Sequence, residues 1–237
     1  MNKTSLFLLS GVLFLLGCGG GVEKKSGSSN ENVKQGKIKL AYVTNGVAEF
    51  WNIAKAGALK AGKELGVQVE VIMPNAEGGR AANQNAEMEK LIANKFQGIA
   101  VSPCDPGNQT SILNQVGENS QFITHDSDAP ESNRKLYIGM SNYDAGFMVA
   151  DLVKRSCPDG GKVIVFIGSV DQLNGRLRRQ GVIDGLLGRE PDESRIDAID
   201  GELSDPNSKY TVLATYIDNF DEALKTSLPE QALAKYD

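Results

Sequence analysis

Three short apolar runs between Gln97 and Asn142 each break abruptly into polar, turn-forming residues, and they constrain the fold more than any other part of the sequence. They end at residues 102–105, 125–130 and 141–142. A run of β-branched and aromatic residues bounded by Pro, Asp and Asn is typical of a buried strand and its exit. Strand exits of an open parallel sheet commonly hold small ligands. The segment therefore predicts a small-molecule cleft.

Strand and helix patterns alternate from Ile38 onward. We predict strands over 38–44, 67–73, 98–102, 122–124, 136–139, 162–168 and 210–216, and helices over about 50–65, 80–94, 109–118, 143–155, 176–187 and 222–236. Regular alternation of this kind predicts an α/β fold with parallel sheets flanked by helices and right-handed crossovers. The pattern restarts near Ser141, which predicts an N-terminal lobe over 38–141 and a partial C-terminal lobe over 142–237.

Four helices carry more specific expectations. The first is stopped by Gly66, and Pro229 is expected to interrupt the last. Apolar residues at helical spacing are predicted to face inward: Trp51, Ala54, Ala58, Ala61 and Leu65 on the first helix, Met88, Leu91 and Ile92 on the second, and Ala145, Met148, Val149 and Leu152 on the fourth.

The net charge argues against two classes of partner, nucleic acids and anionic lipid surfaces. The 237-residue chain carries a formal charge of -5 and has a pI near 5.1. No block of Lys and Arg follows the first residues, so neither nucleic acid nor an anionic lipid surface finds the clustered positive charge it needs.

The N-terminus predicts export. Lys3 is followed by a nearly unbroken apolar run over 6–16, which has the length of a signal peptide's apolar core and is short for a membrane span. The run ends in Gly17-Cys18, which resembles the bacterial lipobox, in which the Cys is lipidated. We expect a lipoprotein signal peptide over 1–17, a flexible tether over 18–37 and membrane attachment through Cys18; the alternative is an uncleaved signal anchor.

The remaining cysteines, Cys104 and Cys157, are expected at a strand exit and at a helix end in different lobes. We predict two separate thiols, since a disulfide would restrain motion of the lobes; the pairing stays open in an exported protein.

No pattern in the sequence indicates catalysis or a cofactor. His125 is the only histidine and adjoins Asp126, but adjacent strand residues point to opposite faces, and no Gly-x-Ser-x-Gly motif accompanies them. We expect His125 to be a hydrogen-bonded structural residue. No metal-ligand spacing or phosphate-binding loop is present either. An exported hydrolase is a minor alternative.

Several segments, in order, carry a family resemblance: 39–44 followed by Phe50 and Trp51, then 98–103, 124–130, 139–146 and 168–181. Together they resemble the periplasmic sugar-binding proteins related to ribose-binding protein, from Ile38 to about Asp237. The resemblance implies a type I periplasmic-binding-protein-like fold, with two α/β lobes joined by three crossover strands and closing about a hinge on a ligand. It also implies delivery of a sugar to an ABC-type importer's permease or to a chemoreceptor.

The same resemblance implies a set of ligand contacts. They comprise an aromatic pair to stack on the sugar, a polar residue after the third strand, a carboxylate after the fourth, an arginine from the second lobe that pairs with that carboxylate, and a second-lobe aromatic: Phe50, Trp51, Ser102, Asp126, Arg176 and Phe220. Arg178 and Arg179 are expected to be solvated or structural.

The chain also departs from the family pattern. Ala48 and Glu49 stand where ribose-binding relatives place an Asn before the aromatic pair, and Ser127 replaces an Arg, so the sugar is not identified. The family continues beyond Asp237, so the last strands of both lobes are expected to be missing. We interpret the chain as a fragment, a degraded paralogue or a protein with an incomplete site, with exposed apolar faces and a sheet edge that favour aggregation.

The predicted function is that of a non-enzymatic, lipid-anchored binding protein in the periplasm or cell envelope, which carries a monosaccharide to an importer. A sensory or degenerate ligand-binding lipoprotein is the alternative. A sugar-responsive transcription regulator is disfavoured, because a signal peptide occupies the place of its DNA-binding segment.

Overall fold

The computed structural model describes residues 38–236, so the predicted signal peptide, the tether and Cys18 lie outside the described residues. The first seven strands and helices after Ile38 are β1 (Lys39–Val43), α1 (Glu49–Leu65), β2 (Gln68–Ile72), α2 (Arg80–Ala93), β3 (Gly98–Val101), α3 (Pro106–Asn119) and β4 (Gln121–His125). They are followed by β5 (Tyr137–Ile138), α4 (Asn142–Ser156), β6 (Gly161–Ile167), α5 (Leu173–Leu187), β7 (Leu203–Ser204), β8 (Tyr210–Ile217) and α6 (Glu222–Tyr236).

The first sheet is entirely parallel, with strand order β2-β1-β3-β4-β5. Its main core lies against α2 and α3 and includes the fully buried Val43, Met88, Ile99, Leu113 and Phe122. The order reverses between β1 and β3, and the carboxyl ends of strands at such a point frame a crevice. This topology places the ends of β1, β3 and β4 next to one another.

Local chemistry sets two of the helix ends. Helix α3 begins at Pro106, three residues before the predicted start, because the Asp105 carboxylate accepts a hydrogen bond from the Asn108 N–H at 3.3 Å. Helix α1 ends at Gly66, whose φ of 68° lies in the left-handed region that glycine adopts without strain. Its predicted inward face is wrong at Ala61, which is exposed, and at Leu65, which is 75% exposed; Gly62 is buried there against Val69.

The second sheet has the order β6-β8-β7. Strands β6 and β8 are parallel, whereas β7, which the sequence did not predict, pairs antiparallel with β8. Its core includes Val165, Ile183 and Val212. The expected interruption of α6 at Pro229 is wrong, because the helix runs continuously through that residue.

Helices α4 and α5 cross at very close range. A Cβ added to Gly146 would overlap the Arg178 carbonyl oxygen, and one added to Gly181 would overlap the Tyr143 carbonyl oxygen. The close crossing turns Tyr143, Gly146 and Ala150 inward. The predicted inward face of α4 is therefore wrong, and part of it is solvent-exposed: Met148, Val149 and Leu152.

Residues 38–236 contain no disulfide, no helix that could span a membrane and no metal-binding group. Cys104 is a buried free thiol and Cys157 an exposed one, as predicted. No helix in this range is long and apolar enough to cross a membrane. The same range holds no group of three or more His, Cys, Asp or Glu side chains arranged to hold a metal ion.

Candidate functional site

Asp126 lies at the centre of the crevice, where three strand exits meet the second sheet's helix α5. Its Oδ2 accepts hydrogen bonds from Asn45 Nδ2 after β1 at 3.3 Å and from Ser102 Oγ after β3 at 3.0 Å. The third donor, Asn174 Nδ2 in the first turn of α5, is 3.2 Å away. One carboxylate oxygen thus joins three segments, one of them from the other side of the cleft.

The backbone aims this carboxylate away from its strand. Asp126 has a φ of 59°, which a non-glycine residue adopts only when its surroundings hold it there. Its N–H donates to the Ile138 carbonyl at 3.2 Å, and the Tyr137 hydroxyl donates to its carbonyl at 2.8 Å. Both partners come from β5, so the strand next to β4 fixes the direction of Asp126.

Burial and two neighbours set the protonation of Asp126. Burial raises the pKa of the carboxyl, and the hydrogen bond from Ser102 and the charge of Arg178 oppose that rise. The result is a partly desolvated acceptor, which is a strong hydrogen-bond partner for a neutral hydroxyl.

An aromatic cluster forms the wall beside Asp126. Trp51 is only 5% exposed and packs edge-on against Tyr42, Phe50 and His125. Phe50 is 62% exposed and lines the cleft. The buried ring therefore supports the exposed one, and Phe50 presents its apolar surface to any occupant of the cleft.

Helix α5 carries three arginines, and two of them, Arg176 and Arg178, lie differently from what the sequence predicted. Arg178 lines the cleft together with Asp126, whereas Arg176 is half-buried and is not among the cleft-lining residues. Arg176 follows Asn174 by two residues and therefore lies about 200° around the helix from it, while Arg178, four residues on, shares its face. The role predicted for Arg176 stays a prediction. Arg178 occupies the cleft-lining position that the sequence had led us to expect for Arg176.

Arg179 is structural, as the sequence predicted. It is buried, and its guanidinium donates to the Thr215 hydroxyl at 2.8 Å and to the Asp197 and Ala198 carbonyls at 2.9 and 2.5 Å. These bonds tie α5 to β8 and to the loop before β7.

The other two predicted site residues lie in or beside the same region. Ser102 is fully buried and contacts Asp126, so it positions the carboxylate. Phe220 lines the cleft from the segment after β8, with the Arg80 guanidinium 4.4 Å from its ring centre. Sequence reasoning missed Arg80, Asn174 and Gln172; the last two stand in the loop and first turn before the predicted start of α5.

The Asp126 cleft, by which we mean the cavity lined by Asn45, Phe50, Trp51, Asp126, Asn174 and Arg178 among others, has a volume of about 980 Å³. A mainly apolar cavity of about 520 Å³ adjoins it at Tyr42, Trp51 and Met140. A carboxylate, a guanidinium, amides and an exposed aromatic ring are together suited to a ring that carries several hydroxyl groups.

His125 does not extend this site into a catalytic one. Its Nε2 is 3.1 Å from the Val43 carbonyl oxygen, and its ring stacks on Tyr42 with centres 4.1 Å apart. Burial lowers its pKa to about 4, so the ring is neutral at physiological pH and serves in packing.

The fold and the cleft define a two-lobed α/β binding protein. The family model described as "Periplasmic binding protein domain" matches residues 39–226, and the chain belongs to that family. The family is one of binding proteins rather than enzymes, and membership implies a location outside the cytoplasm.

Solved structures show the same fold at low sequence identity. An ABC transporter solute-binding protein from Burkholderia graminis C4D1M, in complex with D-arabinose, is 24% identical with a TM-score of 0.72, over 84% of this chain and 62% of its own. The XylFII–LytSN complex is 21% identical with a TM-score of 0.72, over 85% and 67%. GanP, a glucose-galactose binding protein from Geobacillus stearothermophilus, is 22% identical with a TM-score of 0.70, over 84% and 65%.

The chain thus spans about three fifths to two thirds of the length of these matched structures. A search of curated protein sequences gives no significant match.

Proposed function

We propose that this protein binds a carbohydrate in the Asp126 cleft and carries it, as a monosaccharide or as the end ring of a larger sugar, to an ABC-type importer. The observation that carries the proposal is the grouping of a partly desolvated carboxylate, the Arg178 guanidinium and the exposed Phe50 ring in one cleft between two sheets.

The chemistry of these groups supports a sugar over other small solutes. The Asp126 carboxylate accepts from hydroxyls, Arg178 donates to ring or hydroxyl oxygens, and Phe50 packs against the C–H face of the ring. A purely apolar ligand would offer no hydrogen bond to the Asp126 carboxylate or to the Arg178 guanidinium, and covering charged groups without a partner on the ligand is costly.

The structural neighbours support the class of ligand and of partner. They include a protein bound to D-arabinose and one named for glucose and galactose. One is described as an ABC transporter solute-binding protein, and another forms a complex with LytSN, so a sensory partner is the alternative to an importer.

Calorimetric titration of the full-length protein with a panel of monosaccharides tests the proposal. We expect heat from at least one sugar and loss of that heat in the Asp126→Ala variant. A protein that is folded by near-ultraviolet circular dichroism and gives no heat with any sugar would contradict it.

The two arginines provide a matched pair for the same titration. Arg178→Ala should weaken binding by about 10- to 100-fold, as expected for loss of a hydrogen bond from a charged group, whereas Arg176→Ala should leave the affinity nearly unchanged. The reverse pattern would restore the role that the sequence assigned to Arg176.

We also propose that Cys18 carries a lipid that anchors the protein to the cell envelope. The support is the Gly17-Cys18 ending of the N-terminal apolar run. The wild-type protein should enter the detergent phase on Triton X-114 partitioning, and Cys18→Ala should remain in the aqueous phase. Equal partitioning of the two would favour an uncleaved signal anchor.

A further inference from the structure

A third cavity, of about 330 Å³, lies beside the Asp126 cleft at the N-terminus of α2. We call it the Arg80 cavity, and Gly79, Arg80, Cys104, Asp105, Asp171 and Phe220 contribute to its lining. The two cavities are neighbours, because Arg80, Ser169 and Gln172 line both of them. Its volume is at the lower end of small-molecule sites, which run from roughly 300 to 1,000 Å³.

One polar group of the Arg80 cavity is buried without a partner. Within the range 38–236, Nε of Arg80 has no acceptor. A buried donor without an acceptor costs free energy, so Arg80 favours an occupant that supplies oxygen atoms. Gln172, a residue that is only 5% exposed, lines the same cavity.

The start of α2 adds further donors. Gly79 precedes the helix and offers no side-chain cap, and the first turn contains no acidic residue. The first residues of this 14-residue helix line the cavity, and within residues 38–236 no N-cap side chain accepts from their N–H groups.

Two carboxylates decide what kind of oxygen fits. Asp105 and Asp171 line the cavity together with Arg80, which is the one cationic residue among its lining residues. Two negative charges against one disfavour a phosphate or a carboxylate ligand. A hydroxyl accepts from the Arg80 and Gln172 donors and donates to the carboxylates, so a neutral, polyhydroxylated group satisfies both sets.

We propose that the Arg80 cavity binds a second sugar ring, so that the ligand is a disaccharide or a related glycoside whose first ring occupies the Asp126 cleft. The inference rests on the proposed function and adds the size of the ligand to it. The Phe220 ring, held under the Arg80 guanidinium, forms the apolar part of the second subsite.

The test compares monosaccharides with the disaccharides that contain them, on the full-length protein by calorimetry. The probes are glucose with maltose and cellobiose, galactose with lactose and melibiose, and xylose with xylobiose. We expect at least one disaccharide to bind about tenfold more tightly than its own monosaccharide.

A blocking substitution separates the two subsites. Ala82 is an exposed residue that lines the Arg80 cavity and not the Asp126 cleft, so Ala82→Trp should remove the disaccharide advantage and leave monosaccharide binding intact. Ala86→Trp, one turn further along the exposed side of α2, is the matched control and should change neither.

Each outcome is informative. Monosaccharide binding with no tighter disaccharide overturns the second subsite and leaves the proposed function standing. A tighter disaccharide whose advantage survives Ala82→Trp also overturns the location. No binding of any sugar by the folded protein overturns both proposals.

Discussion

His125 shows how a single residue that looks reactive in the sequence can serve the site by packing. It lies between Tyr42 and Trp51, next to Asp126, with its Nε2 beside the Val43 carbonyl. The cluster holds the end of β4 against the end of β1, and the direction of Asp126 depends on where β4 ends.

Acid should weaken the fold through this histidine. Burial lowers the pKa of His125 from 6.5 to about 4. The unfolded chain takes up a proton near pH 6.5 that the folded protein resists, so the stability held above that pH is lost as pH falls toward 4. The loss amounts to about 3 kcal/mol from this group. Denaturant unfolding between pH 4.5 and 7 should show a shallower decline for His125→Gln than for the wild type; parallel curves would contradict the assignment.

At the scale of the element, the first residue of a helix determines which of its side chains reach the site, and an error in that position leads to an error in the predicted site residues. Asp126 could be predicted, because its apolar run and its turn residues mark a strand exit. Asn174 and Arg178 could not, because the sequence placed the start of α5 at Arg176, whereas the helix begins at Leu173. No side-chain cap marks that start: Gln172 makes no capping hydrogen bond.

The prediction of the buried face of α4 was wrong for a related reason. Periodicity favoured the larger residues Met148, Val149 and Leu152, yet the helix packs through Gly146 against Gly181 of α5. Glycine contributes little to an apolar pattern, so contact between two backbones is hidden from a reading of hydrophobic periodicity. By contrast, the strands other than β7, and the order of these elements, followed from the patterns, because alternation and turn residues are local signals.

Two glycine substitutions measure the α4–α5 crossing. Gly181→Ala should lower the free energy of unfolding by at least about 2 kcal/mol, since its Cβ would meet the Tyr143 backbone. Gly57→Ala on α1, where no atom lies within 4 Å of the added Cβ, should instead raise it by about 1 kcal/mol. The free energy of unfolding can be measured by heat and by denaturant. If the two substitutions change it equally, the helices α4 and α5 do not pack as closely as the overlap at Gly181 indicates.

At the scale of the molecule, the described residues leave much apolar surface in water. On α4, Met148 is 69% exposed and Leu152 56% exposed, with Val149 between them. Contiguous apolar surface of this kind favours association.

We expect the protein to self-associate with increasing concentration, as measured by sedimentation velocity. The double substitution Met148→Glu with Leu152→Lys should reduce that association. Ile196→Lys, which changes an isolated residue that is 80% exposed in a loop, should not. A wild-type protein that stays monomeric at every concentration would show that the α4 surface is not a contact site.

The hydrogen bond from Asn174 to Asp126 has a consequence for ligand selectivity. It joins the two sides of the cleft through the carboxylate oxygen that a sugar hydroxyl would use. A ligand that binds there must exchange this internal amide donor for one of its own hydroxyl groups, so only the difference between the two hydrogen bonds contributes to affinity. A solute whose hydroxyl does not reach Oδ2 gains nothing from the exchange, and this one contact therefore sets the smallest hydrogen-bonding advantage that a solute must offer.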